Sequence, residues 1–131
     1  MAVASVLVVD GDTHALASAR AVLAGAGYNT REASGGWRAL EGFSATPPDV
    51  LVTEILMPDG DGIELIAAVK RSHRQVRIIA VTGRRMLGKL DLLDLASKLG
   101  ADATLEKPFR PEVLLATVTV LVGLSGRPPS S

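Results

Sequence analysis

At 131 residues, 47% of them hydrophobic, the chain has the size of one domain with ample material for a single core. Lys and Arg number 14 and Asp and Glu 14, so no net charge draws the protein to nucleic acid or to a membrane surface. With no cysteine it has no disulfide framework, thiolate zinc site or thiol nucleophile, which fits a reducing, cytoplasmic compartment.

The N-terminal MAVASVLVVD lacks a basic region and reads as a strand, not a signal peptide. No apolar run approaches the roughly 18 residues of a membrane span. Ala4–Val9 is short, β-branched and followed by acids, the pattern of a strand buried on both faces. Thr13–Ala24 carries Ala and Leu at helical spacing, and GAG at 25–27 stops it. Tyr28–Ala33 is a weaker, more polar strand. Ser34 can cap a helix over Gly35–Ser44, which Pro47 and Pro48 bar from continuing. Val50–Thr53 is the next strand. Asp61 and Glu64 stand three apart, as in a capping box, ahead of a helix over Gly62–Ser72. Val76–Val81, Arg84–Leu99, Ala103–Leu105 and Pro111–Leu124 read as strand, helix, strand and helix, the last with Pro in its first turn. The domain is therefore expected over 1–124, with 125–131 (SGRPPSS ending the chain) as a tail or linker.

Five strand–helix units require crossovers of one hand and imply a doubly wound α/β fold with a parallel sheet. In such sheets the working residues gather at the carboxyl ends of the strands. That rule selects Asp10, Gly11 and Asp12 after the first strand, Glu54 after the third, Thr82 after the fourth and Lys107 after the fifth.

The segments VLVVDGD, DVLVTEILMPDGDGIELI, IIAVTG and GADATLEKPF, in this order and each at a strand end, resemble the receiver domain of two-component response regulators, from Val6 to about Leu121. The resemblance implies a five-stranded, flavodoxin-like sheet of order 2-1-3-4-5 with five helices. It also implies a site in which two adjacent acids and an Asp hold Mg²⁺. There the Asp takes a phosphoryl group from a histidine kinase, and a Thr or Ser and a Lys bind the phosphoryl oxygens. Asp10, Thr82 and Lys107 match that pattern, with Lys107-Pro108 at the family's often cis peptide. Three positions depart from it. The second acid is Gly11, with Asp12 one place later and reading as a helix cap; the acceptor Asp is Glu54; the aromatic switch residue is Thr104.

These departures bear on chemistry. Mg²⁺ demands near-octahedral oxygens at about 2.0–2.1 Å, so a site short of a carboxylate holds it weakly or not at all. Phosphoryl transfer depends on positioning, where a displacement of about 1 Å costs roughly 10²-fold. Glu54 is thus expected to escape phosphorylation and to imitate the phosphorylated state in part, having fewer acceptors and less charge than a phosphoryl group. The reading is a non-enzymatic module of phosphorelay signalling, without a cofactor, whose output is protein binding. The alternative is a conventional phospho-acceptor with residual Mg²⁺ bound by Asp10 and Asp12. A small-ligand flavodoxin-like domain is a third class, for which no phosphate-cradling loop is found.

Other features read as structural. His14 and His73 lie on helical segments with no second ligand at i+4. GAGYNT follows a helix and lacks the third glycine of a dinucleotide loop, and DGDG at 59–62 has Lys70 where a calcium loop needs its bidentate Glu. Lys70, Arg71, Arg74 and Arg77 are basic without interleaved aromatics, a solvated face and not a nucleic-acid surface.

Partner signals lie in the last two helices. From Val113 to Gly126 no residue is charged, whereas a surface helix normally shows a polar face. In the fourth helix Leu92, Leu95, Ala96 and Leu99 form the expected core stripe, and Met86, Leu90 and Leu93 fall on another arc. A homodimer, or a complex with a kinase, an output domain or another signalling protein, is expected through Met86, Leu90, Leu93, Val113 and Val120. Receivers commonly use this surface.

Overall fold

The computed structural model describes residues 3–43, 46–57 and 62–125. Strands and helices alternate as β1 (Ser5–Val9), α1 (Thr13–Gly25), β2 (Asn29–Ala33), α2 (Gly36–Phe43), β3 (Val50–Glu54), α3 (Gly62–Ser72) and β4 (Arg77–Thr82). A two-stranded hairpin, β5 (Met86–Leu87) and β6 (Leu90–Asp91), then precedes α4 (Leu92–Leu99), β7 (Ala103–Glu106) and α5 (Pro111–Ser125). The five parallel strands run β2-β1-β3-β4-β7. With the hairpin set aside, this is the expected order 2-1-3-4-5 of a doubly wound sheet. The capping pair Asp61–Glu64, the DGDG segment and the tail after Ser125 involve positions outside the described residues.

Period-two alternation divides the core between the faces of the sheet. Val6, Val8, Val50, Val52, Ile79 and Val81 pack toward α1 and α5 with Leu16, Leu23, Leu114 and Val118. Leu7, Val9, Leu51, Ile78 and Ala80 pack toward α2, α3 and α4 with Phe43, Leu65, Ile66 and Leu92. All five residues of β3 are buried, so the strand that delivers Glu54 is the central plank of the molecule.

The fourth helix differs from its expected span. Arg84–Asp91 is not helical: Met86 pairs with Asp91 and Leu87 with Leu90 around Gly88-Lys89. Gly88 has φ +62° and Lys89 has no positive φ, the pattern of a two-residue hairpin turn with Gly in its first central position. The helix starts one residue after Asp91, whose carboxylate accepts the N–H groups of Leu93 and Asp94 as an N-cap. Met86 and Leu90 are therefore exposed on the hairpin, and Leu93, expected at an interface, is buried at 5% exposure. Of the expected stripe, Leu92 and Ala96 are buried and Leu95 and Leu99 half-buried.

In α5 the uncharged sequence resolves into two faces. Leu114, Val118, Leu121 and Val122 are buried, whereas Val113, Val120 and Leu124 are exposed. Thr117 returns its hydroxyl to the Val113 carbonyl at 2.8 Å, and the Thr119 hydroxyl lies 3.0 Å from that of Tyr28.

Candidate functional site

The parallel register sets the carboxyl ends of β1, β3, β4 and β7 side by side, with Val9 opposite Thr53, Glu54 opposite Val81 and Thr82 opposite Glu106. Each strand end then presents one functional side chain: Asp10, Glu54, Thr82 and Lys107. Asp10 and Glu54 are buried, at 7% and 8% exposure. Lys107 starts two strands away from β3 and three from β1, and adjacent strands stand about 4.7–4.9 Å apart. Only a long side chain spans that distance. Its Nζ donates to Asp10 Oδ2 at 2.7 Å and to Glu54 Oε1 at 3.2 Å, with its stem lying beside Gly83.

The remaining carboxylate oxygens are committed locally. Asp10 Oδ1 accepts the Asp12 N–H at 2.9 Å. Glu54 Oε2 accepts its neighbours' N–H groups, Ile55 at 2.7 Å and Leu56 at 3.4 Å. Burial opposes the charge on Lys107, but the hydrogen bond and charge of Asp10, and after them those of Glu54, outweigh it and hold the ammonium above the ordinary lysine value.

The other expected site residues fall elsewhere. Asp12 caps α1, its Oδ1 accepting the His14 N–H at 2.9 Å. The Thr82 hydroxyl is 1% exposed with its residue and turns to its own loop, bonding the Arg84 N–H and carbonyl at 3.1 and 3.2 Å. It is thus not brought onto Glu54 or Lys107, although the Lys107 N–H binds the Thr82 carbonyl at 2.9 Å. Thr104 is half-buried on β7, and Lys107-Pro108 is cis. The His73 and Phe43 rings meet edge to face, their centroids 5.3 Å apart. In the basic cluster, Lys70 and Arg77 both face Asp102, at 3.6 and 3.5 Å.

Two contributors escaped the sequence reading. Gly62 opens α3 directly against the end of β3: its N–H binds the Ile55 carbonyl at 2.7 Å, and a Cβ there would overlap the Glu54 carbonyl oxygen and stand 2.9 Å from Ile55 Cα. Arg85 joins the hairpin to β7, pairing with Asp91 at 3.1 Å and reaching Glu106 at 4.0 Å. The glycine-rich stretch before α3 was a visible signal for the first; nothing local in the sequence marks the second.

A doubly wound sheet of this order with acids and a lysine converging on its carboxyl edge defines a receiver-type site. The family model of the response regulator receiver domain matches residues 6–119, and the chain belongs to that family, whose place is two-component signalling. Response regulator MprA of Mycobacterium ulcerans is 35% identical over 118 residues, covering 89% of this chain and 49% of the relative. MprA of Mycobacterium avium is 34% identical over the same length, covering 89% and 50%. The chain thus spans about half the length of the curated relatives it matches. Among solved structures, the receiver domain protein from Methanospirillum hungatei has a TM-score of 0.86 at 26% identity, covering 95% of this chain and 98% of that one. The chemotaxis response regulator CheY4 of Vibrio cholerae has 0.81 at 29%, covering 92% and 99%. Among the described residues no helix is long and apolar enough to cross a membrane.

Proposed function

We propose that this receiver is atypical: a cytoplasmic, non-catalytic protein-binding module in which Glu54 holds the acceptor position without becoming phosphorylated. The observation that carries this reading is the binding of Glu54 itself, with Oε1 on Lys107 at 3.2 Å and Oε2 on the Ile55 N–H at 2.7 Å. Both carboxylate oxygens accept donors that draw on their electron density, and the extra methylene sets them about one C–C bond from where an aspartate's would lie, in a reaction where a displacement of about 1 Å costs roughly 10²-fold. The same contacts supply what a phosphoryl group would draw from Lys107, a fixed anion beside the ammonium. The Thr82 hydroxyl does not join them, so the imitation is partial.

The donor set does not fit the family's metal centre. Position 11 has no side chain, Asp12 spends an oxygen on the α1 cap, and Asp10 and Glu54 are joined by an ammonium. This weighs against the conventional Mg²⁺-dependent acceptor using Asp10 and Asp12.

The output surface is the hairpin with α5. Met86, Leu87 and Leu90 are 44–47% exposed, and Val113, Val120 and Leu124 line the outer side of α5. A second copy, a kinase or an output domain is the partner class, with a homodimer favoured by the uncharged helix.

Incubation with Mg²⁺ and acetyl phosphate, followed by intact mass, tests the acceptor reading. The expected result is no gain in mass. A stoichiometric, hydroxylamine-labile gain of one phosphoryl group, lost in Glu54→Gln, overturns it.

A further inference from the structure

We infer that the groove between α2 and α3 is a docking site for an amphipathic helix of a partner protein. That helix lies antiparallel to α3, with acidic residues in its first turn, basic residues in its last and an aliphatic stripe between. The groove shares no residue with the hairpin or with α5, and stands apart from the chemistry of Glu54.

Both helices return from the carboxyl edge of the parallel sheet to its amino edge, so they run side by side in one direction, and the Phe43 and His73 rings meet where they end. Helical spacing sets Glu64, Ala67, Ala68 and Arg71 on one side of α3, across from Trp37 and Leu40 of α2, around a groove of about 390 Å³. Leu65 beneath it is buried, and Leu40, Ala67 and Ala68 are half-buried, whereas Glu64 and Arg71 are exposed. The floor is therefore apolar and the charges stand on the rim. Two alanines in the middle of that side of α3 leave the gap open and let a third backbone approach closely. Trp37, 61% exposed at the mouth, is a residue type that often anchors protein contacts.

The occupant follows from the shape of the groove and the placing of its charges. Neither helix offers an unpaired backbone edge, so an extended segment laid there would find no partners for its own N–H and C=O groups, whereas a helix arrives with them satisfied. A small molecule is held by polar groups that converge, but Glu64 and Arg71 stand about 10 Å apart along α3 at 1.5 Å per residue. In the antiparallel orientation the partner's first turn meets Arg71, and its last turn meets Glu64 and the Trp37 indole, which both lie in the first turns of their own helices. Acids at the one end complement the guanidinium; a base at the other complements the carboxylate and the exposed ring. Acid first and base last is also the arrangement that the partner's own helix dipole favours. A parallel helix would have to carry its charges against its dipole to meet the same rim.

Trp37 is the only tryptophan of the chain, so its emission reports on this groove directly. The probe is a synthetic helix about four turns long, held by a hydrocarbon staple on the side opposite a leucine stripe, with glutamates in its first turn and lysines in its last. A control peptide exchanges the glutamates and lysines. Titrated into the full chain, the first peptide should shift Trp37 emission to the blue with saturation below about 1 mM, and the control should bind roughly five- to tenfold more weakly. Arg71→Glu should weaken the first peptide by a similar factor, and Ala68→Leu, which fills the floor, should abolish the shift. Arg71→Glu, at an exposed position, keeps the test open if Ala68→Leu does not fold.

The absence of a saturable shift with either peptide overturns the inference. So does equal binding of the two, or binding indifferent to Arg71→Glu. A blue shift that grows with protein concentration alone gives the groove to a second copy, and overturns it as well.

Discussion

The extra methylene of Glu54 lets one carboxylate bridge its own following backbone and a lysine that starts two strands away. Glu54→Asp should withdraw the group from Lys107 yet remain unphosphorylated, because position 11 still lacks an oxygen ligand. Gly11→Asp with Glu54→Asp should recover Mg²⁺ binding, measured calorimetrically, and phosphorylation, measured by intact mass; ready uptake by the single variant would refute the metal argument. The raised Lys107 value has a sign that can be worked out. A group whose folded value lies above its unfolded one contributes fully below the unfolded lysine value, and the contribution is lost as pH rises through the folded value. Denaturant unfolding between neutral and strongly alkaline pH should therefore show a loss of stability that Lys107→Met lacks, that variant being weaker by about 1–3 kcal/mol at neutral pH. Gly62→Ala should cost roughly 1–3 kcal/mol in urea unfolding, as its Cβ must displace the backbone at Glu54. Asp10 and Glu54 were legible in sequence because each closes or follows an apolar run whose end fixes its position, and Lys107 because it stands between the short strand ATLE and Pro108. The direction of the Thr82 hydroxyl was not, since it depends on the following Arg84 peptide bending back to meet it.

At the scale of elements, β1 to α3 followed from period and punctuation, and the misread segment was the stretch before α4. Met86 and Leu90 stand four apart, a helical spacing, and no proline interrupts them. The deciding features were the Gly88-Lys89 turn and the Asp91 cap, both weak signals beside that periodicity. Asp91 is consequently the residue on which α4 starts. Its carboxyl is held below the usual carboxylate range first by the Asp94 N–H, against a modest burial effect, and with help from Arg85. A lowered folded value contributes above the unfolded carboxylate value and is lost as pH falls through the folded one. Asp91→Ala should speed amide exchange at Leu93 and Asp94 and remove that acid sensitivity. Asp91→Asn, an equally good cap without the charge, should keep the exchange protection and still lose the pH dependence.

For the whole molecule, the question is what covers the outer side of α5. Val113, Val120 and Leu124 are exposed on one helix, and an aliphatic side chain gains about 1.5–3 kcal/mol on full burial. Partial burial of a few such residues across a two-fold axis supports a dimer, although lost translational and rotational freedom offsets much of it. Sedimentation at high micromolar concentration should show a dimer that Val120→Glu with Leu90→Glu converts to a folded monomer. A monomer in both proteins would remove the assembly proposal. The sequence made this helix stand out by its missing charges but left its orientation open, because a pattern apolar on nearly every side does not say which side meets the sheet. The two separately packed faces of that sheet carry a different consequence, one of time. Strand β3 is buried throughout and holds ladders on both edges, to β1 and to β4. Its amides cannot reach solvent until the packing of both faces has been released, so they should exchange only through global opening and set the slow limit of the whole chain. Glu54 is the last residue of that strand, and the clock on which this site loosens is therefore the lifetime of the fold itself.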